Sequence, residues 1–128
     1  MYNLGKRSLQ NIEGINNILI DIIKEGIKES PFDFGIPNTG GLRTPEDQYL
    51  LFCKKASKCD GYTKKSYHQT GKAFDIYAYV DGKASWDSKY YEPIARHLQK
   101  IAKDKFNISL EWGGDWVTFV DMPHFQIK

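Results

Sequence analysis

Lys72-Ala73-Phe74-Asp75-Ile76-Tyr77-Ala78-Tyr79-Val80 is the stretch on which the fold turns. Ala73, Asp75, Tyr77 and Tyr79 alternate with Phe74, Ile76, Ala78 and Val80, the period of two that belongs to a strand covered on one face by an apolar layer. Asp75 therefore looks away from Phe74 and Ile76. Just upstream, Ser66-Tyr67-His68-Gln69-Thr70-Gly71 reads as a loop, and Gly71 allows the backbone to turn from loop into strand.

Three helices flank this strand. Ile15, Ile18, Leu19, Ile22, Ile23 and Ile27 form an i, i+3, i+4, i+7 stripe, so a core-facing helix is expected to end before Ser30-Pro31. A second helix starts at Thr44-Pro45-Glu46-Asp47. Thr44 suits the N-cap, Pro45 the first helical position, and the two acids the positive end of the dipole. It is expected to run through Leu50, Leu51 and Cys53 to about Ala56. The third, from about Lys89 to Lys105, gathers Tyr91, Ile94, Ala95, Leu98, Ile101 and Ala102 on one face, with Pro93 tolerated in the first turn. Further strands are expected at Phe34 to Arg43, interrupted by Pro37 and Gly40-Gly41, and at Ile108 to Trp112, Val117 to Asp121 and His124 to Ile127, with a turn at Gly113-Gly114-Asp115. Mixed elements without a βαβ repeat predict an α+β domain with a small antiparallel sheet and flanking helices.

The 128 residues form one expected domain over 1–128, with no repeat or linker to divide them and enough length to bury a core unaided. A formal charge of +2, with lysines scattered among acids, gives no case for nucleic acid. No apolar run is long enough to cross a bilayer, and the opening Met-Tyr-Asn-Leu-Gly-Lys-Arg-Ser has no apolar h-region. The expectation is a protein made in the cytoplasm, without stable membrane insertion and delivered by another factor if its substrate lies outside. Cys53 and Cys59 lack the spacing of a metal or redox pair and read as one core cysteine and one loop cysteine.

The three histidines are His68, His97 and His124. His68 in a loop and Asp75 on a strand make a workable pair of metal ligands. In Asp121-Met122-Pro123-His124, Pro123 stiffens the chain between two polar side chains. Two histidines and one aspartate leave a fourth position for water, the arrangement of catalytic rather than structural zinc, although this donor set also suits iron, nickel or manganese. Asp121, three residues before His124, is placed to act as general base. Arg43 precedes the helix cap and can aim its fork into a cleft or pair with Glu46 or Asp47. Glu111 reads either as a carboxylate orienting a histidine or as a strand residue facing water. Trp112 and Trp116 can wall a cleft or pack around the turn. Asp115 reads as a turn former and His97 as a structural residue at the edge of the third helix.

Ser66-x-His68-x-x-Gly71-x-Ala73-x-Asp75 followed by Asp121-x-x-His124 resembles the peptidase M15 family, which includes D-alanyl-D-alanine dipeptidases and phage L-alanyl-D-glutamate endopeptidases. Ser30 to Ile36, Gly41 to Gln48 and Glu111 to Trp116 resemble the family's other segments, in order, so the likeness covers most of residues 8–128. It implies a Hedgehog/DD-peptidase-like fold and a Zn2+ ion held by His68, Asp75 and His124. It makes Asp121 the catalytic acid–base and Arg43 a residue that binds substrate and holds the oxyanion, and Ser66 is a candidate for substrate binding. Asp121, where many members have Glu, is similar to the L-alanyl-D-glutamate branch. The implied activity is cleavage of a peptidoglycan stem peptide by a monomeric, single-domain phage or prophage endolysin without a wall-binding domain, released by a holin-type partner. The alternatives are a D,D-carboxypeptidase or D,D-dipeptidase of the family, or a zinc-containing binding module without catalysis, against which Asp121 argues.

Overall fold

The computed structural model describes residues 1–128. Its helices are α1 (Lys6–Asn11), α2 (Asn17–Lys28), α3 (Pro45–Cys53) and α4 (Tyr91–Phe106). Its strands are β1 (Asp33–Gly35), β2 (Ala73–Asp75), β3 (Tyr77–Val80), β4 (Lys83–Ser85), β5 (Glu111–Trp112) and β6 (His124–Gln126). The α+β architecture matches expectation, but the antiparallel pairing is shared between two three-stranded sheets, ordered β1-β3-β4 and β2-β6-β5.

The 72–80 stretch is thus two strands in different sheets rather than one. It changes partners at its centre because the Asp75 N–H donates to the Gly40 carbonyl at 2.8 Å and the Ile76 N–H to the Pro123 carbonyl at 3.0 Å. The alternation survives the break. Phe74, Ile76 and Ala78 are fully buried while Tyr79 is exposed.

The isoleucine stripe of α2 and the apolar face of α4 pack on each other and on Phe34, Phe74, Trp112 and Phe125, in one cluster of 19 buried residues. Phe74 and Phe125 stack with ring centroids 5.1 Å apart, joining β2 to β6 through the core. Tyr91 is buried at the start of α4, where its hydroxyl donates to the Ser85 carbonyl at 2.8 Å and accepts from the Ala78 N–H at 3.2 Å. Both caps behave as polar caps should. The Asn16 side chain accepts from the Ile18 N–H, and that of Thr44 from the Asp47 N–H.

Three expectations are corrected. Of the Phe34–Arg43 stretch only Phe34 and Gly35 pair in a strand, β1, because Pro37 has no N–H and the Gly40 and Arg43 N–H groups go to the Pro37 and His68 carbonyls. Val117–Asp121 is irregular: Val117 and Val120 are exposed, with no layer to cover them. α3 ends at Cys53, and its buried residue is Gln48, whereas Leu50 and Cys53 face solvent. Cys53 is therefore a surface cysteine, and neither it nor Cys59 is in a disulfide.

Candidate active site

Strand register assembles most of the site. In the β2–β6 ladder Asp75 lies opposite His124 and Ala73 opposite Gln126, and in the β5–β6 ladder Glu111 lies opposite Gln126. The period of two then sets Asp75, His124, Gln126 and Glu111 on the face away from Phe74 and Phe125. His68 arrives separately, on a single 3-10 turn, Tyr67–Thr70. Ser66 caps that turn: its hydroxyl accepts from the His68 N–H at 3.2 Å, while the Gln69 side chain accepts from the Ser66 N–H at 2.9 Å. Gly71 closes it with φ +73°, a conformation that a β-carbon disfavours.

The three side chains converge on one point. His68 Nε2 and His124 Nδ1 each lie 3.1 Å from Asp75 Oδ1 and 3.2 Å from one another. The outer ring nitrogens have acceptors of their own. His68 Nδ1 is 2.9 Å from the Gly41 carbonyl, and His124 Nε2 is 2.7 Å from Gln126 Oε1. With the outer nitrogens protonated to donate these bonds, both inner nitrogens present lone pairs beside a carboxylate oxygen. Three converging acceptors suit a cation, and their grouping can hold a metal ion.

The close packing of the three groups shifts the titration of Asp75 and His124. Burial alone would raise the Asp75 carboxyl, yet the facing charge and hydrogen bonds of His68 and His124 hold it well below the ordinary aspartate range. Burial likewise opposes charge on His124, but the hydrogen bond and negative charge of Asp75 prevail and raise its pKa.

Arg43 is held by three groups and pairs with neither Glu46 nor Asp47. Its Nε donates to the Thr39 carbonyl at 2.7 Å, Nη1 to Gln48 Oε1 at 3.0 Å, and Nη2 to Asp75 Oδ2 at 3.0 Å. Gln48, fully buried, is itself fixed by donating to Ser57 Oγ and the Cys59 carbonyl. These bonds use three of the five N–H donors of a guanidinium. Asp75 is thereby gripped from both sides, one oxygen toward the histidines and the other toward Arg43.

Asp121 is fixed through its backbone: its N–H donates to the Gly113 carbonyl at 3.0 Å, and its own carbonyl accepts from the His124 N–H at 3.2 Å. The next two residues are tied as well, by Trp112 Nε1 to the Met122 carbonyl at 2.6 Å and by the Ile76 N–H to the Pro123 carbonyl at 3.0 Å. The Asp121 side chain lines the same cleft as Arg43, His68, Asp75 and His124, a cavity of about 600 Å³. Burial and the neighbouring Asp75 charge push its carboxyl above the ordinary aspartate range, against the pull of the nearby cations. A carboxylate shifted in that direction is a better proton acceptor near neutral pH.

The remaining candidates sort clearly. Ser66 lines the cleft, with its hydroxyl engaged in the cap. Trp116 packs 5.2 Å from the His124 ring and donates its indole N–H to Glu111 Oε2 at 2.6 Å. Asp115 is ion-paired with Arg96, and His97 Nε2 bonds the Gly26 carbonyl at 2.7 Å, outside the cleft. Sequence reasoning passed over Gln48 and Gln126. Gln126 had a signal, since it shares a strand face with His124 two residues earlier; Gln48 had none beyond its place on a helix.

A family model described as phage L-alanyl-D-glutamate peptidase matches residues 1–126. The L-alanyl-D-glutamate peptidase of Escherichia phage T5 is 27% identical over 128 residues, covering 99% of this chain and 90% of that protein. The peptidoglycan L-alanyl-D-glutamate endopeptidase CwlK of Bacillus subtilis is 31% identical over 100 residues, covering 70% of this chain and 58% of CwlK. The crystal structure of the Serratia marcescens L-Ala D-Glu endopeptidase ChiX superposes with a TM-score of 0.84 at 33% identity, over 96% of this chain and 87% of that one.

Proposed function

The chain belongs to the phage L-alanyl-D-glutamate peptidase family, and from that premise we propose that this peptidoglycan endopeptidase cuts the L-Ala–D-Glu bond of stem peptides with a zinc ion held by His68, Asp75 and His124. The observation that carries the metal reading is the convergence of two imidazole lone pairs and one carboxylate oxygen whose outer partners are already satisfied. Zinc suits this mixed nitrogen and oxygen set, and when bound it supplies a Lewis acid that polarises a carbonyl and acidifies water toward neutral pH.

The protein's own groups do the rest. Asp121 accepts the proton released as water adds to the scissile carbonyl, then returns it to the departing amine. Its position on a backbone tied at three consecutive residues keeps the carboxylate aimed without a side-chain partner to compete for it. The two N–H groups that Arg43 keeps free face either the developing oxyanion or the free carboxylate of the D-glutamate beside the bond. Lys58, Lys64 and Lys65 also line the cleft, giving it the positive character that an anionic stem peptide needs. Ser66 contributes by holding the turn that carries His68, and substrate contact through it is secondary in this reading.

The proposal extends to a single catalytic unit, supported by the near full-length match to the T5 enzyme, that acts as a monomeric endolysin and reaches the wall with a holin-type partner. No helix is long and apolar enough to cross a membrane. Mass spectrometry of muropeptides after digestion of purified peptidoglycan, with and without chelator, tests the reaction. New peptides beginning with D-glutamate, absent in chelator, are expected. Release of terminal D-alanine, or cleavage indifferent to chelator, would contradict it.

A further inference from the structure

Beyond the ligands lies a chain of hydrogen bonds with a fixed direction. Trp116 Nε1 donates to Glu111 Oε2 at 2.6 Å, and Gln126 Nε2 donates to the same oxygen at 3.3 Å. Gln126 Oε1 in turn faces His124 Nε2 at 2.7 Å. Glu111 and Gln126 are direct cross-strand partners, and Gln126 and His124 share a face of β6, so the backbone itself lines up the chain.

A glutamine amide presents either an oxygen or an NH2 to a given neighbour, and a neutral histidine carries its proton on either nitrogen. Each choice must therefore be made by something that cannot switch. An ionised carboxylate only accepts, and an indole N–H only donates. Trp116 keeps the Glu111 oxygen in place, and Glu111 then obliges Gln126 to point its NH2 toward β5 and its oxygen toward His124. The oxygen accepts the Nε2 proton, which leaves Nδ1 bare toward Asp75 and His68. With the amide reversed, an NH2 would meet Nε2 and drive the proton to Nδ1, placing an N–H where the ion belongs.

We propose that Glu111 is a positioning residue that sets the tautomer of His124 through Gln126, and so tunes zinc affinity without touching metal or substrate. This rests on the metal reading above and adds a role for residues outside it. Second partners of ligating histidines are worth about 10–100-fold in metal affinity.

The test measures zinc affinity by competition with a chromophoric chelator, alongside thermal unfolding and turnover at saturating zinc. Glu111→Ala frees the amide to reverse and is expected to weaken zinc about 10–100-fold, with turnover at saturating zinc close to wild type. Glu111→Gln keeps an oxygen on the Trp116 N–H and is expected to retain wild-type affinity, since direction rather than charge is what matters. Adding Gln126→Glu to Glu111→Ala replaces the reversible amide with an acceptor-only group and is expected to restore binding, a rescue that loss of packing alone does not give. Nitrogen-15 NMR of the zinc-loaded wild-type chain is expected to show His124 protonated at Nε2, and a proton at Nδ1 would overturn the proposal whatever the variants do. Wild-type affinity in a folded Glu111→Ala chain, or failure of the double variant to recover, would also overturn it while leaving the zinc site intact. A wild-type chain that takes up no zinc would overturn the metal reading and this one together.

Discussion

Gly113→Ala moves Asp121 more than any other group of the site. A β-carbon on Gly113 would sit 2.2 Å from the Asp121 carbonyl oxygen and 3.1 Å from its carbonyl carbon. The backbone of Gly113 is not in the left-handed region, so the cost is contact alone. An ordinary carbon–oxygen contact is about 3.3 Å, so the Asp121 segment must withdraw by about 1 Å. The Asp121 N–H to Gly113 carbonyl bond, 3.0 Å long, stretches first. Overpacking of this kind costs about 1–3 kcal/mol, which a core of this size can absorb. A displacement of about 1 Å in a catalytic group costs about 10²-fold in rate. His124 loses some of its N–H bond to the displaced Asp121 carbonyl but stays paired with Asp75 in the β2–β6 ladder, so zinc binding should fall far less than turnover. The assay is kcat/KM on a soluble muropeptide, with zinc per chain and Tm measured on the same samples. Gly82→Ala is the control: Gly82 has φ +79° with nothing within 4 Å of a built β-carbon, so it loses about 1–2 kcal/mol to strain far from the cleft and keeps its turnover. Turnover in Gly113→Ala equal to that of Gly82→Ala would refute the reasoning.

Asp121→Ala is expected to fold and bind zinc but lose about 10²–10⁴-fold in turnover, the range of general acid–base catalysis; elemental analysis beside the rate assay checks both halves. His124→Ala should lose bound zinc, whereas His97→Ala should keep it and lose about 1 kcal/mol of stability with its bond to the Gly26 carbonyl, read by elemental analysis and thermal melts. Zinc affinity should weaken in acid, starting above the ordinary histidine pKa, because a proton that Asp75 holds on His124 must leave before an ion binds. Chelator competition between pH 6 and 8, taken as roughly spanning imidazole titration, checks the sign, and affinity rising with acid would contradict it.

Much of this was legible beforehand because it is local. The isoleucine stripe of α2, the Thr44-Pro45 start of α3 and the apolar face of α4 each depend on residues within a few turns of one another. Other features depend on partners remote in sequence. Nothing near Ile76 announces that Gly40 and Pro123 will claim the adjoining N–H groups and divide one alternating run between two sheets. Val117 to Val120 has the composition of a strand, yet no neighbouring strand pairs with it, and composition cannot supply one. The site shows the same divide. His68, Asp75, Asp121 and His124 stood out as residue types and by family resemblance. Glu111 had two open readings, and only the β5–β6 register brings it against Gln126.

None of His68, Asp75, Asp121 or His124 belongs to the 19-residue core, whose members sit on the other side of the β2–β6 ladder. Each buried isoleucine, leucine or phenylalanine there contributes about 1.5–3 kcal/mol, so the chain is expected to fold without an ion, as thermal melts with and without chelator would check. The chain is therefore expected to differ from a zinc finger, in which chelation and denaturation are one event. On the zinc reading proposed above, replacing the ion with a coloured or paramagnetic one, such as cobalt, would then be a matter of dialysis rather than refolding.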